Sequence, residues 1–246
     1  MNLLAATGIV QEFKTFWTSR EADFSIQYLT DFELFGQKLS ITTTHVCTII
    51  VTALLILLAV LANKCVKKAK EIPGYFQNFL ELIVDMLDNM VENTMGKNSR
   101  RFVNYISSIF LFILLSNISG IFGLRPPTAD YGVTLPLGLI TFALVHYNGV
   151  KKNKAGHFKA MFKPILLSPI NIIGEIAVPL SLSLRLFGNV LSGTVLMGLL
   201  YGLVPVLVGL GVPAVLHVYF DLFSGAIQTY VFCMLTMVYV NDKIAD

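Results

Sequence analysis

IAVPLSLSLRLFGNVLSGTVLMGLLYGLVPVLVGLGVPAVLHVYF, residues 176–220, contains a single Asp, Glu, Lys or Arg, the arginine at position 185. A stretch this apolar is of membrane grade, since a helix needs roughly 20 such residues to cross the hydrocarbon core. Arg185 is then the residue to explain, because a guanidinium does not lose its proton in a protein. Near mid-bilayer it costs about 2.5 to 3.5 kcal/mol on insertion scales. It lies far from both ends of the segment, so snorkelling does not relieve that cost. A charge so placed is a functional candidate.

The rest of the chain has the same character. Over 246 residues, 55% are hydrophobic and 13% charged, with a mean hydropathy of +0.71, outside soluble usage and consistent with a polytopic membrane protein. The net charge of +3 is small and its lysines cluster in loops, so no nucleic-acid partner is implied. Cys47, Cys65 and Cys233 share no close spacing, which excludes a metal knuckle or disulfide framework, and no cofactor is expected. The opening MNLLAATGIVQEFK lacks a basic n-region and is expected to stay on the chain.

Uncharged windows mark about five spans. The first, residues 39–63, centres on TIIVTALLILLAVLA and runs into Lys64, Lys67, Lys68 and Lys70. The second, 102–124, follows Lys97, Arg100 and Arg101 and is closed by Arg125-Pro126-Pro127, where two prolines forbid further helix. The third, 131–150, leads into Lys151, Lys152, Lys154, Lys159 and Lys163. Two longer segments follow, 164–201 and 212–240, joined by an apolar turn with Pro205, Gly209, Gly211 and Pro213. Each exceeds a perpendicular span, so a strongly tilted hairpin is expected over 164–240. The predicted fold is all-α, with residues 39–246 as one membrane domain and 1–38 as a tail.

Between the first two spans, Phe76, Phe79, Leu80, Ile83, Val84, Leu87, Met90 and Val91 recur at helical spacing, with Glu81, Asp85, Asp88 and Glu92 on another face. An amphipathic helix at the membrane surface follows, packed or interfacial, with docking of a partner subunit as the sharper alternative. The positive charges place the 64–101 and 151–163 connections in the cytoplasm, the N-terminus outside and the C-terminus inside. The tail agrees, carrying Glu12, Glu21, Asp23, Asp31 and Glu33.

On a helical wheel Gly174, Val178, Ser181, Arg185, Asn189 and Ser192 form a stripe of mostly small residues, along which a partner helix can approach closely. On the last segment His217, Asp221, Ser224, Gly225 and Gln228 form a polar stripe. Burial disfavours an ionised carboxylate, which suits Asp221 to taking up and releasing a proton; a structural pair with His217 one turn away is the plainer reading, and for His217 the favoured one. Glu175, ten residues before Arg185, either lines a second aqueous pocket or snorkels.

The segment PLSLSLRLFGNVLSG, residues 179–193, closely resembles the signature of subunit a of F-type ATP synthases, the membrane stator facing the rotating c ring. IQTYVFCMLTMVY, residues 227–239, resembles a second block of that family, and the order of spans extends the likeness over most of the chain after residue 39. The resemblance implies two offset half-channels that carry protons, or sodium, to and from c-ring carboxylates, with Arg185 between them as seal. It also implies c-ring and peripheral-stalk b subunits as partners, with the cell membrane as location. It maps the stator arginine, its neighbouring asparagine and the late glutamine onto Arg185, Asn189 and Gln228. Asp221 stands where relatives carry a glutamate or histidine. Two departures concern the ion path: Thr194, nine residues after the arginine, replaces a titratable residue, and Asn171 replaces a glutamate that Glu175 can substitute one turn later. No Walker-type glycine loop is present, so ATP chemistry belongs to other subunits and the chain is not expected to be an enzyme by itself. The competing class is a self-contained secondary transporter or channel, although no internal repeat is visible. A membrane-embedded hydrolase would rest on His217 beside Asp221 alone.

Overall fold

The computed structural model describes residues 28–34, 37–67, 74–122, 124–153, 168–203 and 212–244. Expectations for most of the N-terminal tail, the 154–163 lysine loop and the Gly/Pro turn before residue 212 lie outside the described residues. Among the described residues, five helical stretches are long and apolar enough to cross a membrane.

The chain enters this bundle through an antiparallel hairpin, β1 (Tyr28–Leu34) and β2 (Gln37–Thr42), with Glu33 opposite Lys38 and Phe32 opposite Leu39. The first span, α1 (Thr43–Lys67), therefore starts four residues later than hydropathy suggests. Residues 39–42 are apolar enough to join the helix, yet their backbone hydrogen bonds go to the neighbouring strand. Hydropathy cannot register that choice. At the junction the Thr42 backbone N–H donates to the His45 ring nitrogen Nδ1 at 3.3 Å, and the Thr42 hydroxyl lies 2.7 Å from the same nitrogen.

The amphipathic helix is α2 (Tyr75–Met95), and it ends at Gly96, whose φ of +55° is the one left-handed glycine among the described residues. That conformation lets the chain leave α2 and start α3 (Ser99–Ile118) three residues later. Leu87, Val91 and Met95 join the core with Phe102 and Ile106. Phe76, Phe79 and Val84, expected on the same apolar face, are exposed, so only the second half of α2 is seated.

After α3 the chain tightens into a short 3₁₀ turn, Ser119–Phe122, and a second at Pro127–Ala129. The third span is α4 (Tyr131–Asn153), and the hairpin's first arm is α5 (Ser168–Leu203). These two cross at very close range: a Cβ added to Gly138 would lie 2.6 Å from the Pro179 carbonyl oxygen. Lipid tails are as apolar as leucine, so helices in a membrane gain adhesion from such close backbone fit. Pro136 and Pro179 both lie inside their helices, where a proline lacks the N–H of the normal ladder and bends it.

The second arm is not one α-helix. It comprises α6 (Val212–His217), a π-helical segment (Val218–Ser224) and α7 (Gly225–Ile244). The buried face of α7, with Phe232, Cys233, Met237 and Val240, packs into the same core as Ile113 of α3, Val145 of α4 and Leu182 and Leu186 of α5. Cys47 and Cys233 are free and buried, as apolar fillers would be.

Candidate functional site

Arg185 projects from the outer face of α5. Its neighbours Ser181 and Leu184 are exposed too, whereas Leu182, Ser183 and Leu186 turn inward. Among the described residues no hydrogen bond or ion pair engages the guanidinium. Gly174 and Gly188 on the same helix have nothing within 4 Å of an added Cβ. Of the small-residue stripe, Gly174, Ser181, Arg185 and Ser192 are exposed, whereas Val178 packs against the core and Asn189 is half-buried. Ser192 is exposed and turns its hydroxyl back to the Asn189 carbonyl, 2.9 Å. Thr194 does the same to Leu191, 2.9 Å, which leaves its side chain no donor for an ion path.

One turn beyond the arginine, Asn189 links the two arms: Ser224 donates its hydroxyl to Asn189 Oδ1 at 3.1 Å. A Cβ added at Gly193 would meet Phe220 at ordinary van der Waals distance, 3.4 Å, so the two arms lie close here. Ser224 closes the π-helical segment, and Asp221 lies within it. Single π turns are rare and recur at functional sites, where they re-aim side chains. Here the consequence is that a wheel drawn at 3.6 residues per turn fails between His217 and Gln228. Ser224 meets α5, whereas Asp221 meets the loop after α3, its carboxyl carbon 3.1 Å from where Gly120 would carry a Cβ. Gln228 is buried in the bundle, and its Nε2 has no partner among the described residues. The predicted single stripe is split over two faces.

His217 and Asp221 do form the pair one turn apart, Nδ1 to Oδ2 at 2.8 Å, with both side chains partly exposed.

Sequence reasoning missed Asn117. This buried α3 residue donates from Nδ2 to the Gly225 carbonyl, 3.1 Å, and to Thr229 Oγ1, 3.3 Å, while Thr128 donates to its Oδ1 at 2.6 Å. The Thr229 hydroxyl also reaches the Gly225 carbonyl, 2.8 Å. One amide thereby ties α3, the Pro127–Ala129 turn and the first residue after the π segment. Gly225 makes this possible, because a Cβ there would stand 2.8 Å from Asn117 Cβ. The available signal was an Asn in an apolar helix, where interhelical hydrogen bonding is the usual role.

At the opposite end of the hairpin Glu175 is paired. Lys243 of α7 donates to its Oε1 at 2.6 Å, and His146 Nε2 of α4 lies 3.9 Å from its other oxygen. The structure thus holds three polar clusters on the hairpin: Asp221 with His217 on the second arm, Asn189 with Ser224 between the arms one turn from Arg185, and Glu175 with Lys243 between α5 and α7.

The family described as ATP synthase A chain matches residues 45–241. The chain belongs to this family. A protein named ATP synthase subunit a, sodium ion specific, from Propionigenium modestum is 40% identical over 198 residues, covering 73% of this chain and 67% of that one. ATP synthase subunit a of Staphylococcus saprophyticus is 34% identical over 239 residues, 89% and 97% of the two chains. ATP synthase subunit a 3 of Pelobacter propionicus is 37% identical over 205 residues, 81% and 86%. The chain is accordingly a multi-pass membrane component of a rotary ATP synthase, a family in which this subunit serves ion transport.

Proposed function

We propose that this chain is the stator of the ion path: two offset half-channels deliver ions to and from carboxylates on a c ring that turns against the open face of α5. The exposure of Arg185 carries this reading. In a self-contained transporter an intramembrane charge faces the bundle interior or a water-filled cavity, at the partners it needs. Here the guanidinium points away from its own bundle, beside glycines with free space before them, so its partner belongs to another subunit.

The chemistry follows from a cation that never deprotonates. Arg185 cannot relay a proton, so it interrupts any direct route between the half-channels. Its field favours the ionised form of an approaching carboxylate and thus promotes ion release on one side. Asp221 with His217 serves the outer half-channel as its titratable pair, Asn189 and Ser224 hold the arms together at the arginine, and Glu175 marks the cytoplasmic exit. Gln228, Ser181, Ser192 and Thr194 border the path. Each elementary charge crossing 100 mV supplies about 2.3 kcal/mol, which a leak past Arg185 would dissipate. Protons are the proposed ion. The sodium-specific name of the Propionigenium modestum relative makes sodium the alternative.

Proteoliposomes with the full rotary complex test the reading, comparing native chain and Arg185→Ala for ATP-driven pumping and for passive leak, with and without sodium. Loss of pumping is expected, and a gain in leak identifies the arginine as the seal too. Unchanged pumping and leak would refute the stator role.

A further inference from the structure

We propose that Lys243 is a tethered counter-cation at the cytoplasmic ion exit, occupying Glu175 so that a passing ion is not retained there. The inference rests on the ion-path reading above and assigns a residue that reading leaves unused.

Three helices converge at this point. Glu175 comes from the first turns of α5, Lys243 from the last turn of α7, and His146 from α4. Lys152 of α4 fixes the end of α7 as well, donating to the Ile244 carbonyl at 3.1 Å, so Lys243 is held beside its partner from two directions. The side chains are 29% and 19% exposed, so the pair is partly shielded from solvent. Among the described residues, the ionisable groups around Glu175 are His146 and Lys243, with Lys152 and Asp242 at the same end of their helices. Arg185, ten residues on, is about 15 Å further along α5.

A bare carboxylate at such an exit would attract whichever cation passes and delay its departure. An ammonium cancels that charge without blocking the route, and because it is covalently attached it does not leave with the ion. Being compact and strongly hydrated on a flexible stem, it can also swing aside.

The test uses inverted membrane vesicles carrying the full complex, whose cytoplasmic face meets the medium. Initial pumping rate, normalised to uncoupled ATP hydrolysis, is measured across a pH series and a sodium series. Lys243→Met is expected to lower the half-saturating concentration of the pumped ion about two- to fivefold, the range set by a partly exposed ion pair. For protons that moves the profile to higher pH. Lys243→Arg should restore the native half-saturation, and Glu175→Gln combined with Lys243→Met should abolish the shift. If Lys243→Met does not assemble, Lys243→Gln, which keeps a hydrogen bond to Glu175 but no charge, is read instead.

An unmoved half-saturation with a reduced maximal rate would make the pair a mere helix clamp and overturn the proposal. A shift that persists without the Glu175 carboxylate would overturn it too. Normal pumping by Arg185→Ala would instead sink the underlying ion-path reading, whatever Lys243 does.

Discussion

At Arg185 the decisive property is the fixed charge on a planar, multiply donating group. Arg185→Lys keeps the charge but offers a compact, strongly hydrated ammonium that loses its proton more readily when buried. Coupled transport is expected to fall on the order of tenfold or more in that variant, since the barrier to proton relay weakens together with the donor geometry. ATP-driven pumping in proteoliposomes measures it, and near-native coupling would refute the argument. Asp221→Asn is a different kind of change. It keeps the shape of the side chain beside Gly120 and His217 but removes the group able to exchange a proton. Ion uptake from the outer face should slow while the Arg185 barrier stays intact, so pumping and synthesis drop without added leak. Identical rates across an outside pH series would reduce the His217–Asp221 contact to a structural one.

At the scale of helices, the π-helical segment decides where polar groups go, and its far end is fixed by Asn117. Gly225→Val would drive a branched side chain into Asn117 Cβ, 2.8 Å from the added Cβ, and break the bonds to Gly225, Thr229 and Thr128. Overpacking alone costs about 1 to 3 kcal/mol. Thermal unfolding of the purified chain in detergent should show the loss, whereas Gly188→Ala, which adds a methyl to open space inside α5, should keep stability or raise it by up to about 1 kcal/mol. Equal behaviour of the two variants would show that the Asn117 network bears no strain.

The same segment shows what was legible beforehand. The spans and the amphipathic helix follow from local composition and an unbroken α period, and were readable from the sequence. The split of the 217–228 stripe was not, since it depends on one π turn supported by an amide more than a hundred positions away. The Glu175–Lys243 pair escaped for a related reason: its partners lie at opposite ends of the hairpin, and only the antiparallel docking of α5 and α7 brings them within 2.6 Å. The β hairpin before α1 was hidden because hydropathy does not distinguish an apolar strand from the start of an apolar helix.

For the whole molecule, the open face of α5 is the feature that a membrane bundle complete in itself would not show. Lipid can cover Leu180, Leu184, Leu196 and Leu199, which are exposed there, but it offers poor solvation to a guanidinium beside them. A ring of carboxylate-bearing helices would satisfy both. Cysteines placed at Gly174 and Gly188, where the added side chain meets free space, report which cover is present. Both should react with a small maleimide in the isolated, detergent-solubilised chain and become protected in the assembled complex, while Leu186→Cys, buried against the core, stays unreactive in each. Protection confined to α5 would place the partner against Arg185. Equal reactivity of Gly188→Cys with and without the other subunits would mean that only lipid or detergent covers this face, and the arginine would then need a partner from within its own chain.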